Sequence, residues 1–171
     1  MHTNLPHFSS INQYQFITFR TKDSTDEFIL KQLKNNNLET KIIQQNIDTY
    51  LDTSKKGSYL NDDIIDIIKK FFINLDDSLC EIIAFSIMPN HIHIILVQKT
   101  QLSEILQKIK GGLSFLINKE LKKEGSLWQK DYYDKVIRDE KHYEKTYDYV
   151  KNNALKAGLY DYEKRFFSIY E

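Results

Sequence analysis

Two runs rich in isoleucine, Glu81 to Met88 and His91 to Gln98, are separated only by Pro89-Asn90. Each run has the length and residue types of a β-strand, and Pro-Asn between them is turn chemistry. The spacing predicts a tight antiparallel hairpin. The return strand carries histidines at alternate positions, His91 and His93. Side chains alternate across a strand, so both imidazoles share one face, while Ile92, Ile94 and Leu96 point the other way into a core. Two imidazoles side by side are a natural pair of metal ligands. Taken alone, the pattern better suits two polar residues on the wet face of a half-buried strand.

The rest of the chain supplies partners for that hairpin. Tyr14 to Arg20 reads as a strand from its β-branched and aromatic residues. Asp26 to Leu33 and Ile42 to Leu51 have helical patterns, broken at Lys34 to Glu39, with a turn at Lys55 to Ser58. Asn61 is placed to cap a helix over 61–73, whose apolar face includes Ile64, Ile65, Ile68 and Phe72. Asn74 to Ser78 is a turn. Ser103 is placed to cap a further helix, and Gly111-Gly112 interrupts its apolar stripe. Mid-helix glycine costs up to about 1 kcal/mol relative to alanine, so the pair marks a kink or a close approach. Tyr133 to Arg138 reads as a short strand. A last helix runs from Asp139 or Glu140 to Asn153 or Leu155, with Gly158 as its terminator. Residues 1 to 12 read as irregular and 160 to 171 as a tail.

This series predicts one α+β domain over 1–171, with its core at about 14–159. The expected fold is a ferredoxin-like antiparallel sheet of βαββαβ order, with helices on one face and an additional C-terminal helix. A length of 171 residues suits one domain with a real core. No apolar run reaches the roughly 20 residues of a membrane span, and Met1 to Pro6 carries no signal-peptide pattern. The single cysteine, Cys80, cannot form an internal disulfide, and a cytoplasmic protein is expected. Zero net charge argues mildly against nucleic-acid binding, but the charge is uneven. Residues 1–98 hold nine Lys/Arg against twelve Asp/Glu, and residues 99–171 fifteen against twelve.

Tyr149 and Asn153 lie four apart on the last helix and so share a face. An amide oxygen suits a hard cation as a third ligand, and a phenol one turn away would sit beside that cation. Tyrosine can serve as a covalent nucleophile, although a pKa near 10 keeps it protonated at neutrality. Two imidazoles, one amide oxygen and open positions for phosphate oxygens suit Mg²⁺ or Mn²⁺, and imidazole favours Mn²⁺.

Three blocks together carry a resemblance. Met88-Pro89-Asn90-His91-Ile92-His93 resembles the His-hydrophobic-His motif of the HUH single-tyrosine transposases. Leu127-Trp128-Gln129, followed by Tyr132 to Asp139, resembles the Trp-Gln and Val-Ile-Arg block of the REP-associated tyrosine transposases. Asp148 to Leu159 resembles their nucleophile helix and its end. The blocks occur in the family's order over about residues 14 to 159. Two positions depart from it: Ala154 stands where the family has proline after the asparagine, and Lys135 where it often has histidine.

The resemblance implies a metal site of His91, His93 and Asn153, and Tyr149 as the nucleophile. It implies attack on a DNA phosphate that leaves a 5′-phosphotyrosine link and a free 3′-hydroxyl. The expected function is therefore metal-dependent nicking and rejoining of single-stranded, hairpin-bearing DNA, by a monomer or a homodimer with no membrane association. DNA contacts are expected from Lys108, Lys110, Lys130, Lys135 and Arg138, with Trp128 as a stacking partner. Two other readings are a nucleic-acid binding module without activity, and a hydrolase in which His91 and His93 help activate water with no covalent intermediate.

Overall fold

The structure, a computed structural model, describes residues 10–171; the first nine residues of the expected irregular N-terminal stretch lie outside them. Strands β1 (Tyr14–Arg20), β2 (Cys80–Ile87), β3 (His91–Gln98), β4 (Tyr133–Val136) and β5 (Phe166–Ser168) form one antiparallel sheet in the order β4-β1-β3-β2-β5. Helices α3 (Asp63–Ile73) and α4 (Leu102–Leu121) complete the expected strand–helix–strand–strand–helix–strand series. Helices α1 (Glu27–Leu33) and α2 (Thr40–Thr53) are inserted between β1 and α3, and α5 (Glu140–Lys156) follows β4. Among the described residues no helix is long and apolar enough to cross a membrane.

Strand alternation divides the interior. Ile17, Phe19, Ile92, Ile94 and Leu96 face α3 and α4, and join Ile65, Ile68, Ile105 and Ile109 in the main core. Burying each such side chain contributes roughly 1.5–3 kcal/mol. Phe16 and Ile95 face the other way and pack with Val150 of α5. His91 and His93 also lie on that second face, and both are 0% exposed. That face is therefore not wet: α5 and the inserted α2 cover it.

Helix α4 runs unbroken through Gly111-Gly112, and the pair is a close approach rather than a kink. A Cβ on Gly112 would stand 2.4 Å from Cε2 of Phe71 on α3, whereas one on Gly111 would meet nothing within 4 Å. Alanine at 111 should therefore gain up to about 1 kcal/mol of helix propensity, while alanine at 112 overpacks the contact at a cost of roughly 1–3 kcal/mol. Urea unfolding should separate the two variants by about 2 kcal/mol, Gly112→Ala being the weaker. Equal midpoints would contradict the contact.

Three local expectations change. Asn61 does not cap α3; its amide bonds to the Ser58 carbonyl and to Arg165, and the helix begins after Asp62. Ser103 lies inside the first turn of α4, which Gln101 precedes. The segment 160–171 is not a plain tail but contributes a short helix α6 (Tyr162–Arg165) and the edge strand β5. Buried Arg165 fixes it, pairing with Asp161 at 2.7 Å and donating to the carbonyls of Leu60 and Ile87 at 3.0 Å. Phe167 stacks on Phe85 with ring centroids 5.1 Å apart.

Candidate active site

The imidazoles are held from behind. Asn90, in the turn between β2 and β3, donates through Nδ2 to the carbonyls of Leu51 and Ser54, both at 3.1 Å. That orientation leaves its Oδ1 as an acceptor, so the 2.8 Å contact to His91 must be Nδ1–H donating. His91 Nε2 then presents a lone pair. It points at His93 Nε2, 3.1 Å away. His93 Nδ1 shares a 2.7 Å hydrogen bond with Thr18 Oγ1 of β1. The two Nε2 atoms therefore share either the N–H of a neutral His93, donated to His91, or a cation. Outer hydrogen bonds of this kind fix the tautomer and aim of metal-binding histidines.

Burial keeps both rings in the neutral form, the form in which an imidazole nitrogen can ligate a metal. It pushes His91 well below its ordinary value and His93 down to about 3, so neither is charged by protonation. Asn153 of α5 reaches the same spot, its amide 3.2 Å from His93 Nε2. The other amide atom, Oδ1, is buried without a partner, and turning the amide presents that oxygen to the imidazole pair. Asp52 Oδ1, also buried and without a hydrogen-bond partner, lies 3.8 Å from His91 Nε2. Asp48, His91 and His93 offer ligand atoms all within 4.8 Å of one another. Two nitrogens and oxygens from an amide and carboxylates suit Mn²⁺ or Mg²⁺. His91, His93 and Asn153 are the expected trio, while Asp48 and Asp52 of α2 are additions that the sequence pattern does not single out.

Helix α5 brings Tyr149 to this cluster from the same chain. Its ring stands edge-on to His93, centroids 5.2 Å apart, and against Phe16 at 6.0 Å. Its hydroxyl donates to Asp48 Oδ2 at 2.9 Å, and Asp48 Oδ1 accepts from Gln44 Nε2 at 2.7 Å. Burial, then the charge of Asp48, raises the phenol far above its ordinary value. Burial likewise pushes the Asp48 and Asp52 carboxyls up to about 7. The site thus pairs a reluctant phenol with a carboxylate able to accept its proton. The Asp139 side chain caps α5 at His142 N–H, and Gly158 ends the helix at positive φ, which together set the helix that aims Tyr149 and Asn153.

The remaining sequence candidates divide. Lys135 and Arg138 lie on β4 and just after it, beside the site. Lys108, Lys110 and Lys130 lie on the α4 side of the sheet. Lys110 is committed to the carbonyls of Gln129 and Lys130, at 2.6 and 3.0 Å. Trp128 is 4% exposed and packs edge-on against Phe19, so its indole faces the core rather than offering a surface for bases.

Comparison with known proteins gives a consistent picture. A family profile described as "Transposase IS200 like" matches residues 41–153, a span that runs from α2 to Asn153. Two proteins of Haemophilus influenzae are similar. One, uncharacterized, is 30% identical over 95 residues, covering 42% of this chain and 52% of its own length. The other, provisionally described as a REP-associated tyrosine transposase, is 26% identical over 121 residues, covering 63% of this chain and 68% of its own length. The chain thus spans about half the length of the first and two thirds of the second. A solved structure of a REP-associated tyrosine transposase bound to a REP hairpin superposes with a TM-score of 0.50 at 18% identity, covering 91% of this chain and 74% of that one. That likeness is one of fold.

Proposed function

The chain belongs to the IS200-like transposase family, and on that premise we propose that it nicks and rejoins single-stranded, hairpin-bearing DNA through Tyr149, with a divalent cation at His91, His93 and Asn153. The observation that carries this reading is convergence: a phenol from α5 meets an imidazole pair from β3, ring centroids 5.2 Å apart, across 56 residues of chain. Nothing in core packing requires an Asp48–Tyr149 hydrogen bond or a partnerless amide oxygen at that spot.

The Tyr149 hydroxyl attacks phosphorus and Asp48 takes its proton. The bond from phosphorus to the 3′-oxygen breaks, that oxygen is protonated, and a 5′-phosphotyrosine remains. One ester is exchanged for another, so no external energy source is needed and a 3′-hydroxyl can reverse the step. A divalent cation, when bound, would neutralise developing charge on the phosphate and leaving oxygens. Asp48 and Gln44 orient the phenol, Thr18 and Asn90 orient the imidazoles, and most of the acceleration is positioning. The test is a denaturing gel of protein incubated with labelled single-stranded DNA and Mn²⁺. A covalent adduct supports the reading; cleavage without one would point to the hydrolase instead.

The electrostatics set a pH window. The imidazoles are neutral throughout the neutral range, so protons compete with the cation only through Asp48 and Asp52, near pH 7. Mn²⁺ affinity should therefore tighten between pH 6 and 8, by up to about tenfold per unit for each proton displaced. Isothermal titration should find this dependence flattened in Asp48→Asn. A midpoint near 6.5, the ordinary histidine value, that persists in that variant would mean the imidazoles titrate instead.

A further inference from the structure

A cleft of about 300 Å³ opens beside Tyr149, between α2, α5 and the β4 edge of the sheet. Its floor includes Phe16 and Tyr133, and Lys41, Lys135, Lys145 and His142 line its sides. Lys41 comes from α2, Lys135 from β4 and Lys145 from α5, so three separate elements each turn a cation to one opening. Arg138 adds a fourth positive charge close by. Among the described residues none of these four cations is in an ion pair. Their crowding is felt: Lys135 is held below its ordinary value by burial and then by Lys41 and Arg138, with Glu39 a weaker counterweight. His142 is lowered by burial and then by Lys135, with Asp139 opposing. Lys41, Lys145 and Arg138 are exposed and Asp48 lies at the inner wall, so the positive rim faces solvent where an anion can reach it.

We propose that this cleft is where the single strand lies as it reaches the nucleophile, with Lys41, Lys135 and Lys145 holding the backbone phosphates next to the one that is cut. The inference deepens the nicking reading and rests on it for the identity of the strand. The volume is at the low end for ligand pockets and leaves room for one nucleotide. The aromatic floor offers apolar surface to a base or sugar, and the cations are spaced around the rim rather than gathered on one helix. Tyr149 and its partner Asp48 both line the opening, so a strand seated there passes beside the nucleophile. The lysines of the α4 side, Lys108 and Lys130, serve no such opening toward Tyr149.

The test is fluorescence anisotropy of a short labelled single strand against Lys41→Glu, Lys135→Glu and Lys145→Glu, with Lys135→Gln as a milder variant and Lys70→Glu and Lys119→Glu as controls. Each rim variant should bind about tenfold more weakly, with a salt slope smaller by about 0.7 for each phosphate that is no longer neutralised. The controls should match the unaltered protein. Rim variants with unaltered affinity and slope would overturn the proposal, as would a weakening confined to Lys108→Glu and Lys130→Glu. Failure of the nicking reading looks different: a protein that binds the strand through this rim yet forms no adduct leaves the cleft standing and removes the chemistry.

Discussion

Tyr149→Phe is expected to fold and to bind single-stranded DNA, yet to form no covalent adduct, a loss of at least about a thousandfold. The change removes one oxygen. The ring keeps its packing against His93 and Phe16, and Asp48 keeps its bond to Gln44. The stability cost should be about 1–3 kcal/mol, that of leaving buried Asp48 Oδ2 without its donor. Tyr143 and Tyr147 share the helix but cannot substitute. Their rings pack with Tyr14 and Phe166, and the Tyr147 hydroxyl is taken by Ser168. An adduct of normal yield in Tyr149→Phe would therefore end the nucleophile assignment. Unfolding would be visible as a missing thermal transition and would not be mistaken for absent chemistry.

The second large effect is expected at the imidazole pair. His93→Ala removes one of the two facing Nε2 atoms and the ring that spans from Thr18 to Asn153. Mn²⁺ affinity, read by isothermal titration, should fall by more than about a hundredfold, because losing even an outer partner of a ligating histidine costs 10–100-fold. Adduct yield should fall with it. Thr18→Val supplies the graded comparison: it leaves both rings but removes the hydroxyl at His93 Nδ1, and about a tenfold loss is expected. If His93→Ala bound Mn²⁺ as tightly as the unaltered protein, the cation would lie elsewhere. Such an outcome would leave Tyr149 in a buried cluster with no metal role.

Much of this architecture could be read from residue order. The hairpin followed from two isoleucine-rich runs around Pro89-Asn90, helices α3 and α4 from apolar periodicity, and α5 from its acidic start and the glycine past its end. The face-sharing of His91 with His93, and of Tyr149 with Asn153, followed from strand and helix geometry alone. What a one-dimensional pattern could not give was the wall opposite them. Ile42 to Leu51 read as helical, but nothing local marked Asp48 and its neighbour Asp52 as more than solvated charge. A signal was present: Gln44 and Asp48 sit within the same buried stripe as Ile43, Ile47 and Leu51. Polar residues inside an apolar stripe are candidates for a buried network, yet their partner, Tyr149, lies 101 residues away. Strand β5 is too short for a period-2 signal, and its anchor, Arg165, reaches carbonyls contributed by Leu60 and Ile87. Trp128 shows another limit: an indole suits both base stacking and a core, and only the tertiary fold sets it against Phe19.

The central claim is that one divalent cation sits where β3 and α5 meet. A crystal soaked in Mn²⁺ and measured at the manganese absorption edge tests it most directly. The account predicts a single anomalous peak bonded to His91 Nε2 and His93 Nε2, with the Asn153 amide turned to offer Oδ1 and the Tyr149 hydroxyl beside it. A peak coordinated by other residues, or none at the imidazole pair in a crystal saturated with the ion, would contradict it.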